Sequence, residues 1–334
     1  MYESLGSVRL KSGETVESCL LTAPEPGWMP KIAHLLGHKG TPWQWQVETA
    51  LAEGLDVESR FYLLHRDGQP FANIMTTELA GVGILGHVYT EPEDRLKGAA
   101  TILFEKLMPN FRGRGGRALF LGTDFDTPPF RLYAQFGFQR CEPRSGEMYY
   151  HTTSADEFNE QYFASAATEI QPMGWPHWPT SSPLFTGPWP GVVRCAGYQL
   201  LGLKSSEVPL LPLVIDNTAR CKADEPPRAV VLVAPDTDAV LGFACFASHP
   251  LWPSWILIDV YCHPAHWPSA GDLLKALQPP SADRHIAYAD PTCPARQAAL
   301  QAAGFKPTVT LTDRIRKEAA GAASLDVIVY EREA

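Results

Sequence analysis

Gly83-Ile-Leu-Gly-His-Val-Tyr-Thr-Glu-Pro-Glu-Asp-Arg-Leu-Lys-Gly-Ala-Ala100 decides how this chain is read. Its apolar start predicts a buried strand, and Pro92, which has no N–H for a ladder, ends it at a sheet rim. Arg95, Lys97 and Gly98 then form a turn, and a helix opens on the small residues Ala99 and Ala100. A helix start leaves its first N–H groups without intrahelical partners, so small residues and a cation there suit a phosphate. Without a ligand, the same residues make a plain strand-turn-helix corner with Arg95 and Lys97 exposed.

Working outward, residues 16–22 read as a strand and 43–52 as a helix. Residues 61–65 and 71–76 flank the turn Arg66-Asp67-Gly68 as a hairpin. Downstream of the opening stretch, Ile102, Leu103, Phe104 and Leu107 form the apolar stripe of a helix over residues 99–108. Residues 118–121 read as a short strand, 128–136 as a helix stopped by Gly137, and 148–151 as a closing strand. The run Arg112-Gly-Arg-Gly-Gly-Arg117 reads as a solvated turn. A possible short helix at 156–164 leads into Gln171-Pro-Met-Gly-Trp-Pro-His-Trp-Pro179, too proline-rich for a regular helix. Its tryptophans are expected to pack between domains.

At 334 residues, two domains are the default expectation. A net charge of −9 argues against a broad nucleic-acid footprint, which needs a basic face. No apolar run reaches the ~18 residues of a membrane span, and the N-terminus lacks a signal pattern. Seven dispersed cysteines without a C-x-x-C pair suggest reduced thiols and a cytoplasmic protein. Cys262, His263 and His266 are too few for a zinc site of four ligands, so no metal is expected.

A second constellation, Leu132-Tyr-Ala-Gln-Phe-Gly-Phe138, lies one strand and one helix downstream of the opening stretch. Together the two resemble the GNAT superfamily of acyl-coenzyme A-dependent N-acyltransferases over roughly residues 16–151. The strand end is Val88-Tyr-Thr-Glu-Pro92, the pyrophosphate loop Arg95-Leu-Lys-Gly-Ala-Ala100, and the helix end residues 132–138. The resemblance implies an α/β (α+β) fold with a mixed, splayed sheet and acetyl-CoA as cosubstrate in its opening. It implies that Val88, Tyr89 and Thr90 face the pantetheine arm. Arg95, Leu96, Lys97, Gly98, Ala99, Ala100 and Thr101 would hold the pyrophosphate. Tyr133 matches the tyrosine that protonates the departing thiolate, a role a phenol can fill. Leu96 departs from the family, which often has glycine there. For a base, Glu78, His87 and Glu91 all lie near the substrate side, and alternation puts His87, Tyr89 and Glu91 on one face. No fixed spacing chooses among them.

The second half repeats the order of parts. Residues 229–233 and 240–246 form a hairpin signal, and 255–263 a strand ending at Pro264. A helix at 270–277, a strand at 285–289 and a helix at 295–303 before Gly304-Phe305 follow. Gly27-Trp28 with Thr41-Pro-Trp43 is echoed by Gly174-Trp175 with Gly187-Pro-Trp189. The chemistry is not repeated: Trp267 takes the place of Arg95, Pro268 of Leu96, Asp272 of Ala100 and Leu300 of Tyr133. Losing a cation, an N–H donor and the acid while gaining a carboxylate is incompatible with the same diphosphate site. The expected organisation is therefore a GNAT-like acyltransferase domain over 1–155, a linker over 156–167 and a degenerate GNAT-like domain over 168–334. The expected activity is acetyl transfer to a primary amine of a small molecule or peptide, in a ternary complex. A coenzyme A-responsive binding protein without catalysis is the rival reading. Neither nucleic acid nor membrane is an expected partner.

Overall fold

A computed structural model describes residues 1–164, 167–315 and 324–333. It shows a mixed α/β protein with two large sheets flanked by helices. The first half runs β1 (Tyr2–Arg9), β2 (Thr15–Thr22), α1 (Met29–Leu35), α2 (Thr41–Ala52), β3 (Glu58–Arg66), β4 (Gln69–Leu79) and β5 (Val82–Thr90). It continues with α3 (Ala99–Gly113), β6 (Ala118–Gly122), α4 (Pro128–Gln135), β7 (Gln139–Arg140) and β8 (Glu147–His151). These eight strands form one sheet, ordered β1-β2-β3-β4-β5-β6-β8-β7. Polar, exposed β1 gives no alternation of burial and was not expected from sequence. Helix α3 passes through Pro109, beyond the end expected at residue 108, because Leu107, Met108 and Phe111 continue its buried stripe.

Strands β5 and β6 are parallel and pair only at Val82↔Ala118, Gly83↔Leu119 and Ile84↔Phe120. Beyond Ile84 they part, which opens the middle of the sheet. On its other edge β5 stays paired with β4, but with a bulge: Asn73 faces Tyr89 while Met75 faces Gly86. Two residues, His87 and Val88, thus oppose one, and His87 adopts a left-handed φ of 51°. A non-glycine residue there costs of order 1–3 kcal/mol.

The second half runs α5 (Ala155–Tyr162), β9 (Glu169–Pro172), α6 (His177–Thr180), α7 (Ser182–Thr186), β10 (Val193–Cys195), β11 (Leu200–Leu201) and α8 (Glu207–Lys222). Then come β12 (Ala229–Ala234), β13 (Ala239–Ser248), β14 (Trp255–Cys262), α9 (Ala270–Ala276), β15 (Arg284–Ala289), α10 (Pro294–Ala302), β16 (Lys306–Ile315) and β17 (Leu325–Glu333). Its main sheet is ordered β16-β17-β15-β14-β13-β12-β9. Strands β14 and β15 are again parallel and again share only three pairs, from Trp255↔Arg284 to Leu257↔Ile286.

The largest core joins both sheets. Val82, Ile84, Ala118 and Phe120 of the first sheet belong to one buried cluster with Phe158, Tyr162, Trp175, Trp178, Leu210 and the second sheet. Trp43 lies 6.3 Å from Trp178, and Trp45 stacks on Trp175 at 5.9 Å, so tryptophans do pack between the halves. The arginine run is a turn at Arg114-Gly115, with Arg112, Gly113 and Gly115 exposed, but its arginine side chains are not left to solvent. Arg112 donates to the Tyr150 hydroxyl, Arg114 pairs with buried Glu78 at 2.8 Å, and Arg117 lies over the Phe158 and Tyr162 rings. The alternating glycines read as a solvated turn, but each arginine has a buried partner from another element.

Candidate active site

The loop after β5 opens with a 3-10 turn at Pro92–Asp94. Asp94 is its anchor: buried, and paired at 2.8 Å with both Arg66 and Lys97. These hydrogen bonds, that to Arg66 first, hold its carboxyl down at about 2. Lys97 is thereby tied to the loop rather than free. Arg95 is exposed, and its Nε donates to the Thr90 carbonyl at 3.1 Å. Leu96 has φ 64° and is 99% exposed, so the position favours glycine on backbone grounds and leaves its side chain in solvent. Gly98, with φ 87°, is the N-cap of α3.

That helix start has no side-chain cap and no acidic residue in its first turn. Ala99, Ala100 and Thr101 therefore bring N–H groups and a positive helix end to the mouth of the parted strands. Lys11, from the β1–β2 turn, also reaches it: its side chain would lie 3.4 Å from a Cβ on Gly98, and its N–H donates to the Lys97 carbonyl. Lys11 lies more than eighty residues away in sequence, and no local pattern marks it.

On β5, His87 meets Trp43 and Gln46 of α2, and Tyr89 stacks on His38 at 4.1 Å. Val88 packs on the other side, with the cluster around Leu85 and α3. Burial, then Lys39 and His38, push the His87 imidazole down to about 3, so it is neutral. Its Nε2 lies 3.3 Å from Gln46 Oε1, and its Nδ1 is buried without a partner. Glu91, partly buried at the rim, accepts from the Tyr89 hydroxyl at 3.3 Å. Glu78 is elsewhere: it pairs with Gly83 at the far end of the hairpin and is bound to Arg114.

Tyr133 lies in α4, buried against Phe104 and Phe138. Burial, and then the charge of Glu207, push its phenol up, so it stays protonated. Glu207 belongs to α8 of the second half, which no reading of the first half could find. Its Oε2 accepts the Gly122 N–H at 3.0 Å, at the end of β6. Beside it, Glu147 accepts the Ser205 N–H at 2.9 Å, and burial lifts its carboxyl to about 7.

The matching opening in the second half is bridged by protein. Asp259 of β14 accepts the N–H groups of Ala196 and Gly197, and Asp290, just after β15, accepts those of Val192 and Val193. Arg296 of α10 donates to the carbonyls of Val260 and Tyr288, one on each parted strand, and to Asp259 at 2.7 Å. Among the described residues, the one His/Cys/Asp/Glu group close enough for a metal is Cys195, Cys245 and Asp259. Those Asp259 bonds already engage its carboxylate. Cys262 is buried in β14, while His263 stacks on Phe163. No helix among the described residues is long and apolar enough to cross a membrane.

Parted parallel strands, a bulged central strand and an uncapped helix start define a mixed α/β protein with a splayed sheet. The solved structures similar to about half of this chain are GNAT-family acetyltransferases. An N-acetyltransferase from Staphylococcus aureus Mu50 is 18% identical, with 50% of this chain and 99% of that one covered, at a TM-score of 0.38. A GNAT-family acetyltransferase from Bacillus anthracis is 14% identical, with 51% and 96% covered, at 0.34. A Salmonella typhimurium structure with its cofactor acetyl-CoA is 16% identical, with 50% and 94% covered, at 0.35. No family model matches the sequence, and no curated protein does.

Proposed function

We propose that the first half is an acyl-CoA-dependent N-acyltransferase that moves an acetyl group to a primary amine. The observation that carries this reading is the uncapped, cation-flanked start of α3 at the mouth of the parted strands β5 and β6. The residues fit the cosubstrate. Small side chains leave the first-turn N–H groups of α3 open, Lys11 stands beside them as a cation, and Arg95 adds a second cation at the end of β5, on the Thr90 carbonyl. In this reading the diphosphate rests on residues 95–101 and the pantetheine arm runs along Val88, Tyr89 and Thr90. The amine attacks the thioester carbonyl, a C–N bond forms, the C–S bond breaks, and Tyr133 protonates the leaving thiolate. A phenol kept neutral by burial suits that role. The second half walls the acceptor side through α6 and α8.

The test is thermal. Acetyl-CoA at 100 times its Kd should stabilise the protein by about 2.7 kcal/mol, read as a rise in Tm. Arg95→Glu should abolish that rise without lowering the Tm of the free protein. No rise at millimolar acetyl-CoA would overturn the reading. A rise without thiol release across a panel of amines would leave a binding protein instead.

A further inference from the structure

Glu207 opens α8 of the second half, yet its carboxylate lies across the opening of the first sheet. Oε2 takes the Gly122 N–H on β6, and Oε1 lies 3.0 Å from where a Cβ on Gly86 would stand on β5. Gly86 directly precedes the bulge at His87, so a side chain there would crowd the carboxylate. The same stretch carries two buried polar atoms without partners, His87 Nδ1 and Asn73 Oδ1. A cavity of about 440 Å³ opens between the halves, and its lining includes Gly122, whose N–H Glu207 accepts, and Val208, the next residue in the chain, together with Thr123, Glu147 and Lys204. That volume suits a small molecule.

We propose that Glu207 is the proton acceptor for the amine, so that the second half supplies a catalytic residue to the first, and that the substrate is a small primary amine entering through this cavity. The proposal rests on the acyl-transfer reading above.

A primary amine reaches the site as an ammonium ion, which has no lone pair to attack with. Its proton passes to the Glu207 carboxylate, leaving a neutral amine. The nitrogen lone pair then forms the C–N bond, and the C–S bond breaks with its electron pair on sulfur. The thiolate takes the Tyr133 proton, the amide nitrogen gives up its second proton to restore the phenol, and Glu207 releases the first to solvent. Burial and three groups, the Gly122 N–H, Glu147 and Lys39, set the Glu207 carboxyl. Burial raises it to about 8 against the Gly122 N–H, Glu147 adds to the rise and Lys39 opposes it, while Tyr133 faces it from α4. A base poised near the working pH is what proton transfer favours.

Thiol release from acetyl-CoA decides the matter, measured from pH 6 to 9 with small primary alkylamines and with hydroxylamine, which is largely unprotonated at neutral pH. Wild-type turnover of alkylamines should rise with pH through about 8, as the carboxylate forms. Glu207→Gln should lower it about 100-fold or more and flatten the profile. Acetyl-CoA affinity and hydroxylamine turnover should stay near wild type. Gly86→Ala, whose methyl crowds the same carboxylate, should show the same selective loss and provides a second variant if Glu207→Gln does not fold. A wild-type rate and pH profile in Glu207→Gln would overturn the proposal. So would an equal loss with both nucleophiles, which marks a structural role. Failure of the wild type to bind acetyl-CoA would overturn the acyl-transfer reading itself, a result distinct from either.

Discussion

The two halves of this molecule each part their central parallel strands after three residue pairs, and then treat the gap in opposite ways. In the second half, β14 runs straight against β13, from Gly242↔Cys262 to Ser248↔Ile256, without a bulge. The gap beyond is bridged by residues 192–197, two aspartates and a fully buried arginine. In the first half, β5 is bulged at His87, and a single carboxylate from outside crosses the gap. A splayed sheet is thus a frame with unsatisfied edges. Its groups must be met by the chain itself or by something that comes and goes.

The largest expected effect breaks the bridged half. Arg296→Met leaves Asp259 buried without its cation and should cost about 3–5 kcal/mol, read as a lowered denaturant midpoint. A midpoint equal to wild type would show that the bridge is incidental. Next comes the chemistry of the open half. Tyr133→Phe should lower turnover about 100-fold or more while acetyl-CoA affinity holds, and unchanged turnover would remove the phenol from the acid role. The smallest effect sharpens the comparison at the loops. Leu96→Gly trades a left-handed leucine, costing about 1–2 kcal/mol, for glycine's lost entropy of roughly 0.5–1 kcal/mol. The net gain should be under about 1 kcal/mol, visible as a small rise in melting temperature with acetyl-CoA binding retained.

Much of the frame was legible because it depends on local pattern. Pro92 and Pro264 stop their strands, Gly98 starts a helix, and Gly137 and Gly304 end others, each through its own backbone chemistry. The turn after Pro92 and the helix start at Ala99 were legible for the same reason. What stayed hidden depends on distance. Lys11 reaches Gly98 from an added hairpin, and Glu207 reaches Gly86 from another sheet, contacts that no periodicity encodes. The bulge at His87 was hidden too, since it lies in the mismatch between two strands rather than in either one. The segment 156–167 reads as a linker, yet Phe158 and Tyr162 of α5 belong to the core that unites the halves. Composition marks such a stretch as joining two domains, but burial decides whether it is a tether or a wedge.

Residues 192–197 have a consequence for the energetics of the whole chain. An occupant that is part of the same polypeptide saturates its groove at every dilution, so its binding free energy is folding free energy. The second half therefore gains this stability whatever ligands the surrounding solution contains. On the proposed function, the first half takes its occupant from solution by mass action, and gains stability only as the logarithm of that occupant's concentration. Because one core spans both sheets, the filled half would, on that function, hold the other assembled when its ligand is scarce.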